Sequence, residues 1–410
     1  MSTRTSSEPT PAVMPDGRAE KLLLQLLSIP GGSGDEAAVA AFVAAQLREN
    51  GADANSIVDD GANRRSAHGG TTGNLVFKLA GTRRAPRRML SAHLDTVPIC
   101  VGSKVRRGKG FLESADPERG IGADNRAGVA VLLATAIDLL QSAPAGGRPK
   151  HGPLTFLWTV QEEIGLHGAR NVRAGALGKP KLAFNFDGGA ANKLVVGATG
   201  GYRMDIYVTG KASHAGNHPE RGVSAIAIAA RAVADLHENG WHGLIEKGRR
   251  RGTSNVGVIH GGAATNVVTD AVRLAAEARS HDPKFRERIV SQIEKAFRRA
   301  AKAVRSVDGA CGAVRFEGRL DYESFRLPQD DPSLAAASAV VRAEGLDPEQ
   351  AIANGGLDAN WLSERVVPTV SLGCGQQNIH TVDERLDLAE FHRARRIAMR
   401  LALGPLAAEE

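Results

Sequence analysis

The alternation of buried-strand patterns with helix patterns is the feature that most constrains how this chain can fold. Four short apolar segments, at 89–94, 154–160, 182–186 and 366–372, have the length and composition of buried strands. A strongly apolar helical pattern occupies 126–140, between the first two of them. This alternation predicts an α/β fold with an open, mostly parallel sheet that has helices on both faces.

Polar side chains stand where these predicted strands end. They are His93, Asp95, Glu162, Glu163, Asp187 and, further along the chain, His380. Open α/β sheets bind their ligands at the carboxyl ends of the strands. Imidazole and carboxylate groups are the ligands that hydrolytic metal sites use. The sequence therefore predicts a metal site at this edge of the sheet.

A different order of elements occupies 200–318, where the patterns read strand, helix, strand, strand, helix, strand. This βαββαβ order is that of the ferredoxin-like unit. Because candidate metal ligands lie on both sides of it, we expect an α+β lid domain inserted into a catalytic domain. The predicted division is a flexible tail at 1–17, a catalytic domain at 18–199 and 319–410, and the lid at 200–318.

Composition argues against several other classes of protein. The net charge of +7 is compatible with nucleic-acid binding, but only 4% of the 410 residues are aromatic and no recognition motif accompanies the basic clusters. No apolar run approaches the roughly 18 residues of a membrane span. Three widely spaced cysteines without a CxxC motif argue against a disulfide framework and fit a reducing compartment. We predict a cytoplasmic enzyme with no nucleic-acid or membrane partner.

The residues of the predicted site suggest a division of roles. In His93-Leu94-Asp95 the two polar side chains point to the same face of an extended chain, so the carboxylate of Asp95 can orient the imidazole of His93 for metal binding. Asp124 lies in a glycine-flanked loop before a helix, where its carboxylate can bridge two cations about 3.5–4 Å apart.

Glu162 and Glu163 are adjacent, and successive side chains on an extended backbone face opposite ways. One of them is expected to bind metal and the other to act as general base on the attacking water, and the residues alone do not decide which. A metal pair lowers the pKa of bound water toward about 7, which makes a carboxylate an adequate base at neutral pH.

A series of short motifs runs through nearly the whole chain. They are SIPGGSGDE, SAHLDTVP, GIGADNRAG, QEEIGLHGAR, NFDGG, GKASHAGNHPERGVSAI, ATNVVTD, EARSHD and GCGQQNIHTVDE. In these motifs the chain resembles the co-catalytic zinc peptidase family, which contains peptidase T, glutamate carboxypeptidases, aminoacylases and succinyl-diaminopimelate desuccinylase.

The resemblance implies two zinc ions and assigns their ligands. One ion would be held by His93 and Asp187, the other by Glu163 and His380, and Asp124 would bridge them. Manganese or cobalt is an alternative to zinc, because histidine and carboxylate ligands serve all three metals.

The resemblance also implies roles for residues that bind no metal. Glu162 would be the general base, and Asp95 would orient the neighbouring histidine. In the lid, His214 would polarise the scissile carbonyl, in its own subunit or across a homodimer formed through the lid. Asn266 and Arg279 would hold the carboxylate of the substrate.

Two motifs resemble different branches of this family. Asp187 in FNFDGG resembles peptidase T, whereas ASHAGNHPERG resembles the glutamate carboxypeptidase type. The resemblance thus implies a peptidase T-like exopeptidase acting on short peptides. The alternative is an amidohydrolase that acts on N-acyl amino acids, or a glutamate carboxypeptidase-type enzyme. A non-catalytic homologue would be expected to lack a ligand or the base, and all are present.

Overall fold

The computed structural model describes residues 13–141 and 149–404 of the chain. The helices of the described part are α1 (Asp16–Ser28), α2 (Ala37–Glu49), α3 (Ala123–Gln141), α4 (His167–Arg170), α5 (Ala225–Glu238), α6 (Pro283–Ala303), α7 (Pro332–Ala343), α8 (Ala359–Arg365) and α9 (Leu388–Leu403). None of these described helices has the length and apolarity needed to cross a membrane.

The strands range from two to twelve residues in length. In chain order they are β1 (Ile57–Asp59), β2 (Leu75–Leu79), β3 (Arg88–His93), β4 (Val105–Arg107), β5 (Phe111–Ser114), β6 (Leu154–Thr159), β7 (Leu182–Phe186), β8 (Lys193–Ala198), β9 (Gly200–Thr209), β10 (Ser213–His214), β11 (Gly243–Lys247), β12 (Arg250–Gly261), β13 (Val267–Val268), β14 (Ala271–Ser280), β15 (Ala313–Tyr322), β16 (Phe325–Arg326), β17 (Glu349–Ala353), β18 (Thr369–Leu372), β19 (Gln376–Gln377) and β20 (Arg385–Asp387).

The chain divides into two compact units. The second unit comprises Ala198–Phe325 and the short segment Asn354–Gly356, and the first unit contains the remainder. The sequence predicted domain boundaries at 199/200 and 318/319. It did not predict that residues 354–356 belong to the second unit. Residues 1–12 of the tail predicted at 1–17 lie outside the described part, and helix α1 already begins at Asp16.

The first unit is built on a large sheet with strand order β1-β2-β6-β3-β7-β18-β8-β16, in which β17 also pairs with β8. Its four central strands, β6, β3, β7 and β18, run parallel. Strands β1 and β2 on one side, and β8 on the other, are antiparallel to their neighbours. The α/β class and the mostly parallel centre predicted from the sequence are confirmed.

Apolar side chains on the central strands explain why helices cover this sheet. Every residue of β6 is buried, which requires cover on both faces of the sheet. Met89, Leu157 and Ala183 form one cluster with Leu362 of α8. Helix α3, which is buried almost throughout its length, packs on β3 and β7. A separate sheet of the first unit has the order β19-β20-β5-β4.

The second unit is an antiparallel sheet, β11-β12-β14-β9-β15, with helices α5 and α6 packed on it. Without the edge strand β11, the six predicted elements have the order of the ferredoxin-like fold. Ile206 and Leu274 of the sheet share one core with Ile228 of α5 and with Phe285 and Phe297 of α6. The sequence did not predict β11 or the two-stranded sheet of β10 and β13.

Candidate metal centre

His93 is the last residue of β3, and its imidazole is almost wholly buried. Its Nδ1 lies 3.1 Å from the backbone oxygen of Asp95 and 3.4 Å from the Oδ1 atom of the Asp95 carboxylate. A proton on Nδ1 that is donated to Asp95 leaves the Nε2 lone pair available. This Nε2 atom lies 3.1 Å from Oδ1 of Asp124 and 3.9 Å from Oδ2 of Asp187.

The carboxylate of Asp95 also builds the turn after β6. It accepts hydrogen bonds from the Ser33 hydroxyl at 2.6 Å and from the backbone N–H groups of Glu162 and Glu163 at 3.0 and 3.1 Å. Burial works against ionisation of Asp95, but the hydrogen bonds from His93 and Ser33 outweigh it and hold the pKa of this carboxyl below its usual value. Asp95 therefore contacts the histidine and the backbone of both glutamates.

Asp124 lies between two histidines. Its Oδ1 atom is 3.1 Å from Nε2 of His93, and its Oδ2 atom is 3.3 Å from Nε2 of His380. The backbone dihedrals of Asp124 and Asn125 are not helical, so the regular part of α3 begins after them and the carboxylate sits in a loop. Burial opposes its ionisation, yet the contacts with His380 and His93 lower its pKa. This is the placement that a carboxylate bridging two cations requires.

Two groups of possible ligands share Asp124. His93, Asp124 and Asp187 form one group, and Asp124, Glu163 and His380 form the other. Within each group, one ligand atom from every residue lies within 4.8 Å of the others. The Nε2 atom of His380 lies 3.0 Å from Oε2 of Glu163. The six residues predicted at strand ends, together with Asp124, thus meet in one place.

The electrostatics of these groups fit bound cations. Burial, together with the charge of Asp124, raises the pKa of Asp187 to about 8. Burial also raises the pKa of Glu163 and, well above its usual value, that of Glu162. Carboxylates held this close repel one another, and divalent cations between them would remove the repulsion. Two imidazoles with several carboxylates are a donor set that suits a metal pair.

Comparison with known proteins decides the family. The sequence profile of Peptidase family M20/M25/M40 matches residues 89–404, which include every candidate metal ligand. The chain belongs to this family. It is 30% identical over 369 residues to the uncharacterized protein YqjE of Bacillus subtilis (strain 168), covering 90% of this chain and 93% of that protein.

Two solved structures resemble this M20 family member over nearly its whole length. A tripeptidase from Staphylococcus aureus subsp. aureus Mu50 has a TM-score of 0.83 at 28% identity, covering 95% of this chain and 98% of that chain. The aminopeptidase PepT from Bacillus cereus ATCC 10987 has a TM-score of 0.80, also at 28% identity and with the same coverage. The protein is therefore a hydrolase of the M20 family.

Asp358 is an acidic neighbour of the metal centre that the sequence did not single out. It is buried at the start of α8, and its Oδ2 atom accepts a hydrogen bond from the hydroxyl of Thr159 at the end of β6. Burial raises the pKa of Asp358 to about 6, and the charges of Asp95 and Glu163 add to this rise. Its sequence context, GGLDAN, does not follow a strand pattern, so no local signal pointed to it.

The three predicted substrate residues of this M20 family member lie in the second unit. His214 is exposed in β10, and its Nδ1 atom accepts backbone N–H groups of Gly216 and Asn217, both at 3.1 Å. Asn266 lies beside it, because its backbone oxygen accepts the N–H of residue 215 and β10 pairs with β13. Arg279 in β14 forms two hydrogen bonds with the Glu277 carboxylate, at 3.0 and 2.9 Å.

Proposed function

We propose that this M20 family member is a two-metal exopeptidase that cleaves short peptides in the manner of peptidase T. The observation that carries the proposal is the placement of Asp124 between His93 and His380, with the buried Glu162 beside them. The likeness at 28% identity to structures named as a tripeptidase and as aminopeptidase PepT supports this choice of substrate class.

The proposed ligands form two sites. His93 and Asp187 would hold one ion, Glu163 and His380 would hold the other, and Asp124 would contact both. Zinc is the expected metal, and the same ligands also suit manganese or cobalt. When bound, such ions polarise a carbonyl oxygen and lower the pKa of water.

Glu162 is the proposed general base. Its backbone N–H is held by Oδ1 of Asp95 at 3.0 Å, which fixes the start of its side chain beside His93. Glu162 accepts a proton from the water that attacks the scissile carbonyl carbon. The carbon–nitrogen bond then breaks, and the same carboxyl group returns the proton to the leaving amine.

His214 is the proposed donor to the scissile carbonyl. Because Nδ1 of the neutral imidazole accepts two backbone hydrogen bonds, its proton is on Nε2. An Nε2–H group can donate to the carbonyl oxygen, where negative charge develops during attack. Arg279 and Asn266 are proposed to bind the substrate carboxylate, for which the planar guanidinium is well shaped.

Replacing His214 by alanine is expected to lower kcat by about 10²–10³-fold, the usual effect of losing one donor to a developing oxyanion. His218 offers a matched control because it is an exposed histidine of the same loop that pairs with Glu220. Steady-state kinetics on a tripeptide should show near-normal kcat for His218→Ala. Equal losses of kcat in the two variants would contradict a role for His214 in the reaction.

Substrate panels separate this proposal from its alternative. With added zinc, the protein is expected to hydrolyse unblocked tripeptides faster than N-acyl amino acids. Turnover confined to N-acyl amino acids would favour the amidohydrolase alternative, and turnover of neither panel would contradict both. A homodimer through the ferredoxin-like lid domain and a location in the cytoplasm stay predictions.

A further inference from the structure

The hairpin of β19 and β20 carries His380 in its connecting loop. Strands β19 and β20 pair antiparallel, with Gln376 opposite Leu386. We call residues 376–387 the His380 hairpin and residues 121–125, which include the bridging carboxylate of Asp124, the Asp124 loop. Two side chains of the hairpin bind the Asp124 loop, Gln376 from β19 and Glu384 from the residue before β20. Neither has a role in the function proposed above.

Glu384 binds the Asp124 loop from one side. Its side chain is almost wholly buried, and its Oε2 atom accepts the backbone N–H groups of Ile121 and Gly122 at 2.9 and 2.7 Å. Its Oε1 atom accepts the N–H of Asp124 at 3.0 Å. A thiol hydrogen bond from Cys100 also reaches Oε2, at 3.1 Å. Burying a carboxylate costs free energy unless its oxygens accept hydrogen bonds. Both oxygens of Glu384 accept N–H groups of the Asp124 loop.

Gln376 binds the Asp124 loop from the other side. Its Nε2 atom donates to the backbone oxygen of Ala123 at 3.2 Å and to the side-chain oxygen of Asn125 at 2.8 Å. Its Oε1 atom accepts the N–H of Gly188 at 2.9 Å. Because Gly188 directly follows Asp187, this single amide also connects the hairpin to a third proposed ligand.

We propose that Glu384 and Gln376 are positioning residues that hold the Asp124 carboxylate in place relative to His380, and so set the affinity of the site formed by Asp124, Glu163 and His380. The inference rests on the two-metal function proposed above. Two of that site's ligands lie on the two segments that Glu384 and Gln376 join. The other site shares Asp124 with this arrangement, and its ligand Asp187 adjoins Gly188, which Gln376 binds. Glu384 reaches that site only through Asp124 among the contacts described above, because its hydrogen bonds go to residues 121, 122 and 124 and to Cys100.

The test measures metal binding by the whole 410-residue chain after its metals have been removed. Glu384→Gln keeps the size of the side chain but leaves one acceptor oxygen, so an amide group must face either Asp124 or the N–H groups of Ile121 and Gly122. Zinc binding is measured by calorimetry, and cobalt binding is measured by visible absorption. Each titration should show two ions bound to the wild type. In the variant, the affinity for one ion is expected to fall by about 10–100-fold, with a smaller change for the other.

Gln376→Ala gives an independent second test, and it should weaken the same step of the titration. The matched control is Glu344→Gln, because Glu344 is also a buried carboxylate of the first unit, paired with Arg396 and Arg400 at 2.7 and 2.6 Å. The control should lower the melting temperature of the metal-free protein and leave both zinc affinities unchanged.

Three outcomes are decisive. Loss of one ion's affinity in Glu384→Gln and Gln376→Ala, but not in the control, supports the inference. Wild-type affinities in both variants, or losses no larger than in Glu344→Gln, overturn it and leave the proposed function standing. A wild-type protein that binds fewer than two ions overturns the proposed function itself.

Discussion

Replacing Glu162 by glutamine is expected to lower kcat for a tripeptide by at least about 10²–10⁴-fold while both metal ions still bind. The substitution keeps the size of the side chain and the backbone hydrogen bond to Asp95, but it removes the group that accepts a proton from water. The measurement is kcat together with the metal content of the same preparation. The sequence alone left open which of the two adjacent glutamates is the base.

Glu163→Gln is the matched control for that experiment, because it makes the same change one residue later. The Oε2 atom of Glu163 lies 3.0 Å from Nε2 of His380, in the group of possible ligands that also contains Asp124. Replacing Glu163 should therefore lower the metal content as well as the activity. If Glu162→Gln loses an ion and Glu163→Gln keeps both, the two roles are exchanged. Full activity of Glu162→Gln would contradict the proposed mechanism.

Replacing Asp124 by asparagine is expected to have the largest effect on metal binding, because this carboxylate contacts both proposed sites. A neutral amide bridges two cations poorly, so affinity should fall by more than the roughly 100-fold that loss of a supporting residue can cause. The free energy of unfolding also depends on metal binding. At a zinc concentration of 100 times the dissociation constant, one bound ion raises the free energy of unfolding by about 2.7 kcal/mol.

Thermal unfolding with zinc and with a chelator measures this difference. The wild type should be stabilised by zinc, and Asp124→Asn should show little or no stabilisation. Asp138→Asn serves as control, because Asp138 is a buried carboxylate of the same helix that accepts the backbone N–H of Met14 at 2.9 Å. Equal stabilisation of Asp124→Asn and the wild type would show that the ions bind elsewhere.

The fold and the location of the site could be predicted because both depend on local patterns. Apolar strands mark the sheet, and the residues that follow them must meet at one edge, as His93 and Asp187 do. The order of elements at 200–318 likewise predicted the ferredoxin-like unit. The assignments of ligand, base and substrate-binding residues stay predictions until the variants above are measured.

Residues whose roles depend on distant contacts could not be predicted. Glu384 binds the N–H groups of Ile121, Gly122 and Asp124, and nothing in the local pattern of GCGQQNIHTVDE indicates that partner. Asp358 shows the same limit, because its burial beside the metal centre follows from the packing of α8 on β18. For Asp95 the sequence predicted only the contact with His93. Its backbone oxygen lies nearer His93 than its carboxylate does, and the carboxylate also holds the turn that carries Glu162.

Anomalous X-ray diffraction from crystals of the zinc-loaded protein tests the central claim most directly. The account predicts two zinc peaks about 3.5–4 Å apart, with the carboxylate of Asp124 between them. The zinc ion at one peak should be bound by His93 and Asp187, and the zinc ion at the other by Glu163 and His380. A single zinc ion, or a pair that does not contact Asp124, would contradict the two-metal centre.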